Sequence, residues 1–311
     1  MTDTDNTDDA TTTETIMELI EKAAAVDGIP PVSEHFLRGL ADSSFGHHHL
    51  LALAGSDGTV TVCDSDAAGH PATLAGVAAI HGNQCEMVVD PAKRRRGIGA
   101  ALARRARRAG ATDFWAHGDL PAAQAAATAW SGTPVRQLLV MEITGEELHT
   151  AASAALPPGV LLGSLDNPGV DLDSAAVRSQ WLEVNNQAFS WHPEQGGWDA
   201  ARLEEATATD WFDPAGVLFV WDTTGLDPVL AGFHWTKKHP DGTGEIYVVG
   251  LADRYRGTGL GGALISCGLS YLAAETNRVI LYVEADNKAA VAAYRRLGFD
   301  VCQRHVVYRL G

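Results

Sequence analysis

Apolar and polar positions alternate in two series along the chain, and each series predicts strands joined by turns or helices. Strands are expected in the first half at about 49–54, 59–64, 73–80, 85–90, 112–117 and 137–143. A helix is expected near 173–188, followed by strands near 216–222, 229–236, 245–251, 279–284 and 300–309. Helical periodicity fills the spaces between the last three strands. This order predicts an α/β fold of the α+β type, with a mixed β-sheet flanked by helices in each half.

A glycine-rich turn follows the strand 245–251 and is followed directly by a helix pattern. Its sequence is Arg256-Gly-Thr-Gly-Leu-Gly261. Such a turn directs free backbone N–H groups and the positive end of the helix dipole at one place, which favours a phosphate group. No Gly-Lys-Ser/Thr closes the turn, so it is not a nucleotide-triphosphate P-loop. No acidic residue ends a second strand about 20 residues on, as a dinucleotide-binding fold requires.

A second motif follows the strand 279–284. Asn287 is a suitable N-cap for a helix that Gly298 would terminate. Tyr294 lies seven residues after Asn287, so the two side chains share one helix face. The turn and this helix lie about thirty residues apart, and a glycine loop with a second motif at a fixed distance is far more specific than the loop alone.

Together the two motifs resemble those of the GCN5-related N-acetyltransferases (GNAT), which bind acetyl-CoA. The first is Arg-x-x-Gly-x-Gly after a Val-Val-Gly strand, and the second is Asn-x-x-Ala-x-x-x-Tyr-x-x-x-Gly-Phe. The acetyl-CoA contacts that this resemblance implies are Val249, Gly250, Leu251, Arg256, Gly257, Thr258, Gly259, Leu260, Gly261, Gly262, Asn287, Lys288, Ala289, Ala290, Val291 and Ala292.

Two residues are predicted to be catalytic. Glu245 alternates with Tyr247, Val249 and Leu251, so we expect all four to share a face, where Glu245 would be the general base for a protonated amine. Tyr294 would deliver a proton to the departing thiolate, whose free thiol pKa is about 8.5; the resemblance implies the same role. The alternatives are a strand-edge charge for Glu245 and a packing aromatic for Tyr294.

The N-terminal half repeats the strand, turn and helix. Arg94-Arg-Arg-Gly-Ile-Gly99 aligns with Arg256–Gly261, which argues for tandem GNAT domains. Asn83, Leu120 and Ala127 then replace Glu245, Asn287 and Tyr294, so this half is expected to hold acetyl-CoA without catalysis. The alternative is a relic turn. The expected cofactor contacts are Met87, Val88, Val89, Arg95, Arg96, Gly97, Ile98, Gly99 and Ala100.

Domain limits follow from composition. Residues 1–15 are polar and acidic and are predicted to form a disordered tail. The N-terminal GNAT domain is expected at 16–150 and the catalytic C-terminal one at 158–311. A linker is predicted near Gly145–Gly159, because Pro157-Pro-Gly marks a break.

Composition limits the binding partners and the cellular compartment that are expected for this protein. The net charge of −16 disfavours nucleic acid, and no apolar run is long enough to span a membrane. No secretory signal is visible. Cys63, Cys85, Cys267 and Cys302 lack metal-binding spacing and suggest buried, reduced thiols in a cytoplasm. A monomer is expected. His192, His234 and the run His47–His49 are interpreted as packed, hydrogen-bonded or solvated, so no metal site is expected.

Further segments resemble a two-domain branch of the GNAT family that acetylates a cysteinyl-glucosaminyl-inositol, a pseudo-disaccharide bearing a cysteinyl amine. They include Phe114–Gly118, His192–Trp198 and Gly232–Lys237. The resemblance implies that the substrate contacts are Glu34, Lys237, Glu245 and Tyr282, with either Gln180 or Glu183. Carboxylates and a lysine suit an uncharged polyol, and acidic groups attract its cationic amine.

Three other functions fit the cofactor motifs. The amine could belong to another small molecule, such as an aminoglycoside or a polyamine. The chain could instead be a non-catalytic acyl-CoA sensor, although a sensor has no need of Glu245 and Tyr294, and both are present. An enzyme that acetylates RNA or protein fits poorly with the acidic charge.

Overall fold

The computed structural model describes residues 5–65, 73–153, 155–191 and 195–311, with side chains from residue 12 onward. The chain forms two compact units. The first consists of Met1–Leu138 with Gln303–Gly311, and the second of Leu139–Cys302.

Unit 1 is a mixed sheet between two layers of helices. Its elements are α1 (Asp5–Asp27), α2 (Glu34–Ala41), β1 (His48–Ala54), β2 (Val60–Asp64), β3 (Thr73–His81), β4 (Gln84–Val89), α3 (Ile98–Arg108), β5 (Asp113–Ala116), α4 (Pro121–Ala129) and the end of β12 (Asp300–Arg309). The strand order is β2-β1-β3-β4-β5-β12, with β4 and β5 parallel. Apolar residues of α1 and α2 cover one face of the sheet and those of α3 cover the other.

Unit 2 has the same kind of architecture. Its elements are the end of β6 (Thr133–Thr144), α5 (Gly145–Ala151), β7 (Val160–Ser164), α6 (Ser174–Ala188), α7 (Ala200–Thr207), β8 (Val217–Asp222), β9 (Val229–Lys238), β10 (Gly244–Leu251), α8 (Leu260–Ala273), β11 (Arg278–Glu284) and α9 (Lys288–Arg296). The strand order is β6-β11-β10-β9-β8-β7, with β10 and β11 parallel. Helices α6 and α7 pack on one face, and α5, α8 and α9 pack on the other. The predicted mixed sheet flanked by helices is confirmed in each half.

The limits of the two units differ from the predicted domains 16–150 and 158–311. The last residues of β12 pair with β5, from Val306 opposite Ala116 to Arg309 opposite Asp113, and so belong to unit 1. The second half of β6 packs into the core of unit 2 through apolar residues such as Met141. Periodicity identified both strands correctly, but it carries no information about which sheet a strand joins.

Two segments predicted to be irregular are helical. Helix α1 begins at Asp5, within the predicted disordered tail, because the polar segment extends a helix that buried Ile16, Leu19 and Ala23 anchor to the sheet. Residues 1–4 lie outside the described part of the chain. The predicted linker begins with α5, whose Leu148 is fully buried in the core of unit 2. The sequence also did not reveal β7, a short strand that follows Gly159.

Candidate active site

Strands β10 and β11 of unit 2 run side by side and then separate. Their pairing extends from Gly244 opposite Val279 to Ile246 opposite Leu281, although β10 continues to Leu251. The opposite edge of β10 stays paired with β9 as far as Leu251. Alternate residues of an extended strand point their N–H and C=O groups to the same side. In the described chain the last residues of β10 therefore present backbone hydrogen-bonding groups to a gap between two parallel strands.

A β-bulge at Tyr247 interrupts the alternation along β10. Ile246 lies opposite Thr236 of β9, and Val248 lies opposite Trp235, so one extra residue is inserted. Two residues on either side of the bulge that would share a face in a regular strand therefore lie on opposite faces of the sheet. The expectation that Glu245 shares a face with Val249 and Leu251 is wrong for this reason. Glu245 instead lies on the face occupied by α6.

Three of the predicted substrate residues lie on that face. Glu245 is the cross-strand neighbour of Lys237 on β9 and of Ile280 on β11. Tyr282 lies two residues beyond Ile280, so its side chain projects from the same face, where it is 45% exposed. The structure thus brings Lys237, Glu245 and Tyr282 together on three adjacent strands.

Glu245 is buried, with 5% of its surface exposed, and it is not the strand-edge charge of the alternative interpretation. Its Oε2 lies 2.6 Å from Nε2 of His239, which is partly exposed at the end of the β9–β10 hairpin. A buried carboxylate needs such a partner. His239 was missed by the sequence analysis because a histidine six residues before a carboxylate has no diagnostic spacing; only the hairpin brings the two side chains together.

Lys237 is also buried, at 7% exposed, and lies among aromatic rings. Its Nζ is 4.5 Å from the centre of the Trp211 ring and 5.7 Å from that of Tyr247. These rings attract the ammonium group through their negative faces and restrict its position. The result is a fixed positive charge beside Glu245 on the same face of the sheet.

Tyr294 lies on the opposite face. It is 8% exposed and packs with Val279, Leu281 and Val283 of β11 and edge-on against Phe299. Burial raises the pKa of its phenol to about 12. Helix α9, which carries it, begins as predicted at the N-cap Asn287, whose Oδ1 accepts a hydrogen bond from the N–H of Ala290 at 3.1 Å. Asn287–Ala292 thus form the N-cap and first turns of α9.

The glycine-rich turn has the predicted form. Gly257 and Gly259 have φ of 76° and 89°, in the left-handed region, and α8 starts directly afterwards at Leu260. The guanidinium of Arg256 donates to the backbone oxygen of Gln187 at 2.9 Å, which ties the turn to the end of α6. The first N–H groups of α8 lack partners within the helix, so this end favours an anion.

The remaining predicted substrate residues lie elsewhere. Gln180 and Glu183 of α6 both line a cavity of about 390 Å³ near Asp253 and Arg254. The amide of Gln180 accepts a hydrogen bond from the N–H of Leu230 at 2.8 Å, whereas the Glu183 carboxylate accepts one from the Gln187 side chain at 3.1 Å. Glu34 begins α2 in unit 1 and interacts with Arg38.

Unit 1 has a similar arrangement. Pairing of β4 with β5 covers only Gln84 and Cys85, and the two strands border a cavity of about 680 Å³. The predicted cofactor residues Met87–Val89 and most of Arg95–Ala100 line it. This volume lies within the range of about 300–1,000 Å³ that is typical of small-molecule sites.

The turns of the two units also share a backbone conformation. Gly97 and Gly259 both have left-handed φ, of 82° and 89°. Arg95, which aligns with Gly257, has φ of 65° although it is not a glycine. A left-handed conformation is unfavourable for an arginine, so the surrounding structure maintains this turn.

Unit 1 contains a partly buried carboxylate that was not expected from the sequence. Glu86, in the middle of β4, accepts hydrogen bonds from the N–H and hydroxyl of Ser33, each at 2.6 Å, and lies 2.8 Å from the His117 ring. These contacts hold down the pKa of Glu86 against its burial, which acts in the opposite direction. Leu120 and Ala127, which align with Asn287 and Tyr294, lie at the N-cap and at the seventh position of α4, as the alignment implies.

Other predictions concern histidines and cysteines. His234 is fully buried, and its Nδ1 lies 3.1 Å from the Leu264 oxygen, so the packed interpretation is confirmed. Burial lowers its pKa to about 4. His192 lies outside the described residues. Cys63, Cys85, Cys267 and Cys302 are free, as expected, but only Cys85 is buried. Among the described helices, none has the length and apolar character needed to cross a bilayer.

Comparison with known proteins identifies the fold and the family. Residues 180–299 match the acetyltransferase (GNAT) family. Among solved structures, a GCN5-related N-acetyltransferase from Sphaerobacter thermophilus superposes with a TM-score of 0.64 at 22% identity, covering 95% of this chain and 91% of the other. A tandem GNAT protein from the clavulanic acid biosynthesis pathway superposes with a TM-score of 0.62 at 19% identity, covering 96% of this chain and 94% of the other. The fold is therefore that of two tandem GNAT domains.

Closer relatives define the family. The mycothiol acetyltransferase of Corynebacterium aurimucosum is 44% identical over 301 residues, which cover 94% of this chain and 93% of the relative. The mycothiol acetyltransferase of Corynebacterium efficiens is 46% identical over 297 residues, which cover 95% of this chain and 92% of the relative. That of Mycolicibacterium gilvum is 42% identical over 308 residues, 94% and 93% of the two chains. The chain belongs to the mycothiol acetyltransferase family.

Proposed function

We propose that this acetyltransferase transfers the acetyl group of acetyl-CoA to the cysteine amine of the cysteinyl-glucosaminyl-inositol precursor, which yields mycothiol and CoA. The observation that carries the proposal is the group of polar residues around Glu245, in a chain 44% identical over nearly its whole length to a mycothiol acetyltransferase. Lys237 and Tyr282 flank Glu245 and offer hydrogen bonds to the hydroxyls of an uncharged pseudo-disaccharide.

The cofactor binds on the face of α8 and α9. The turn Arg256–Gly262 holds the pyrophosphate with its backbone N–H groups. The pantetheine arm follows Val249–Leu251 and bonds to the open edge of β10, as a peptide does when it adds a strand to a sheet. The start of α9, Asn287–Ala292, lies against the cofactor. The thioester then lies in the gap between β10 and β11.

The amine arrives from the other face. Glu245, directly or through a water molecule, takes a proton from the ammonium group, and the free amine attacks the thioester carbon. Backbone N–H groups at the gap stabilise the oxyanion. When the tetrahedral intermediate collapses, the C–S bond breaks and the attacking nitrogen loses its second proton as the amide forms. The CoA thiolate leaves while it accepts a hydrogen bond from the Tyr294 hydroxyl, and it takes up the proton that the nitrogen has released. The substrate contacts that the resemblance implies for Glu34 and for either Gln180 or Glu183 stay predictions.

A panel of amines tests the substrate. Purified enzyme is incubated with acetyl-CoA and, separately, cysteinyl-glucosaminyl-inositol, glucosaminyl-inositol, an aminoglycoside, a polyamine and a peptide with a free N-terminus. Acetylated product and CoA are both measured by mass spectrometry, because the cysteinyl compound carries a thiol of its own. We expect turnover of the cysteinyl compound alone. If another amine is acetylated and the cysteinyl compound is not, the assignment is wrong.

Replacing Lys237 with methionine should raise the KM for the amine substrate about tenfold with little change in kcat. The change removes one charge-assisted hydrogen bond that is equal in the bound and transition states. Steady-state kinetics at saturating acetyl-CoA measure the effect. The matched control is Lys238→Met, because Lys238 projects from the opposite face towards Glu275 and Tyr271. Equal KM values for the two variants would remove Lys237 from the substrate site.

In unit 1 the cavity holds a second acetyl-CoA without turning it over. Support comes from the volume, from the glycine turn maintained in a strained conformation, and from the arginines Arg94 and Arg95 at the cavity wall. Catalysis is not expected, because alanine replaces tyrosine at position 127. The alternative is a relic turn with no ligand.

Equilibrium dialysis with labelled acetyl-CoA distinguishes the two interpretations of unit 1. We expect two molecules per wild-type chain and one per Ala126→Phe chain, since Ala126 lines the cavity and a phenyl ring there fills it. A single molecule bound to the wild-type chain would support the relic turn.

The remaining expectations concern the whole protein, which we expect to act on a small molecule as a monomer in a cytoplasm. The net charge of −16 disfavours binding to nucleic acid and favours a monomer. The four free cysteines fit a reducing compartment.

A further inference from the structure

Three histidines of unit 1 converge outside both acetyl-CoA regions. His35 comes from α2, His47 from the segment before β1, and His81 from the end of β3. One ring nitrogen from each lies within 4.8 Å of the others. His35 and His81 are exposed, and His47 is partly buried. The sequence could not show this group, because 46 residues separate the first histidine from the last.

Sheet register brings two of the three together. His48 of β1 lies opposite Ile80 of β3, so His47 and His81 occupy the next cross-strand position. Their ring centres lie 5.1 Å apart. Helix α2 supplies the third ring, with its centre 4.5 Å from that of His47 and 4.8 Å from that of His81. The three rings therefore surround one point on the surface.

The spacing suits a small cation. Nε2 of His35 and Nε2 of His47 are 3.0 Å apart. Two imidazole nitrogens that bind one tetrahedral Zn²⁺ at about 2.0–2.1 Å lie about 3.3 Å from each other. A shift of a few tenths of an ångström thus converts this contact into a pair of metal ligands. Without a metal, the same distance fits an N–H···N hydrogen bond between the two rings.

The His47 ring occupies space that is open because Gly39 has no side chain. Gly39 of α2 faces the His47 ring, and a Cβ at this position would lie 2.3 Å from Cγ and Nδ1 of that ring. The imidazole therefore packs directly on the helix backbone. This close approach fixes the central ring of the cluster between the helix and the sheet, so ligand binding requires little ordering of the side chain.

We propose that His35, His47 and His81 bind one divalent transition-metal cation of the Zn²⁺ class, with water in the remaining coordination positions. Imidazole ligands suit Zn²⁺, Ni²⁺ and Cu²⁺. A site made of nitrogen donors does not suit Ca²⁺ or Mg²⁺, which take oxygen ligands. Because the three ligands come from α2, the start of β1 and the end of β3, the cation clamps the helix to the sheet and stabilises unit 1 by mass action.

Calorimetric titration of the chelator-treated full-length protein with Zn²⁺ tests the proposal. We expect the wild-type chain to bind one Zn²⁺ with high affinity and His81→Gln to bind it at least about tenfold more weakly, because a ligand is lost. The matched control is His48→Gln, in the same histidine run. The His48 side chain instead bonds Asp64 at 2.6 Å, so this variant should match the wild type.

Two further readouts separate coordination from surface adsorption. Zn²⁺ should raise the Tm of the wild type and of His48→Gln but not that of His81→Gln. Co²⁺ bound to the wild type should give the visible absorption of a coordinated ion, which His35→Gln should lose. Failure of the wild type to bind Zn²⁺, or equal binding by wild type and His81→Gln, would overturn the proposal and favour the simple hydrogen bond.

Discussion

Replacement of Glu245 by glutamine should lower kcat about 10³-fold while the Kd for CoA stays unchanged. Glutamine preserves the size of the side chain but cannot accept the proton of the ammonium group, and general-base catalysis contributes about 10²–10⁴-fold. The cofactor Kd is unaffected because Glu245 lies on the face of the sheet away from α8 and α9. Single-turnover rates and CoA titration measure the two quantities separately.

The control for this variant is Glu275→Gln. Glu275 belongs to the same unit, but its carboxylate is exposed and bonds to Lys238 on the other face. We expect this variant to retain nearly full kcat. Wild-type turnover by Glu245→Gln would remove Glu245 from the mechanism, and a weakened CoA affinity would point to a structural role instead.

Replacement of Tyr294 by phenylalanine should lower kcat about 10- to 100-fold, a smaller loss than that of the Glu245 variant. With a pKa raised to about 12 by burial, the Tyr294 phenol is a weaker acid than the CoA thiol, whose pKa is about 8.5. We therefore expect Tyr294 to stabilise the departing thiolate mainly through a charge-assisted hydrogen bond, which contributes about 1.5–3 kcal/mol. Stopped-flow measurement of CoA release determines the loss.

The pH profile of the wild type provides a second check on Tyr294. A phenol with a raised pKa stays protonated at all lower pH values, so Tyr294 should cause no falling limb of kcat/KM below about pH 10.

The matched control for the rate of Tyr294→Phe is Tyr271→Phe, since Tyr271 bonds to Asp213 away from the gap. If Tyr294→Phe matches Tyr271→Phe in rate, the tyrosine is a packing aromatic.

Much of the fold follows from local pattern. The strand predicted at 245–251 is observed at Gly244–Leu251, and the turn with left-handed Gly257 and Gly259 follows from the absence of Cβ atoms. The N-cap Asn287 is likewise a local effect of one side chain on the next turn of backbone. These features depend on neighbours in sequence, which is the information that periodicity and capping preferences contain.

Features that depend on pairing between distant segments were not predictable. The bulge at Tyr247 is a register shift between β10 and β9 that lies where the pairing of β10 with β11 ends, and no residue type in Glu245–Leu251 indicates it. The bond between His239 and Glu245 depends on the shape of a hairpin. Helix α1 extends into a polar segment because tertiary packing further along the helix outweighs local composition.

The single inserted residue at Tyr247 has a consequence for the order of events. Because it puts Glu245 on the face of the sheet opposite Val249 and Leu251, the proposed mechanism has the acyl donor and the acceptor approach the gap from opposite faces, and neither blocks the other. In that mechanism both molecules are present when the acyl group moves, so it passes directly from sulfur to nitrogen. The polypeptide never has to carry it.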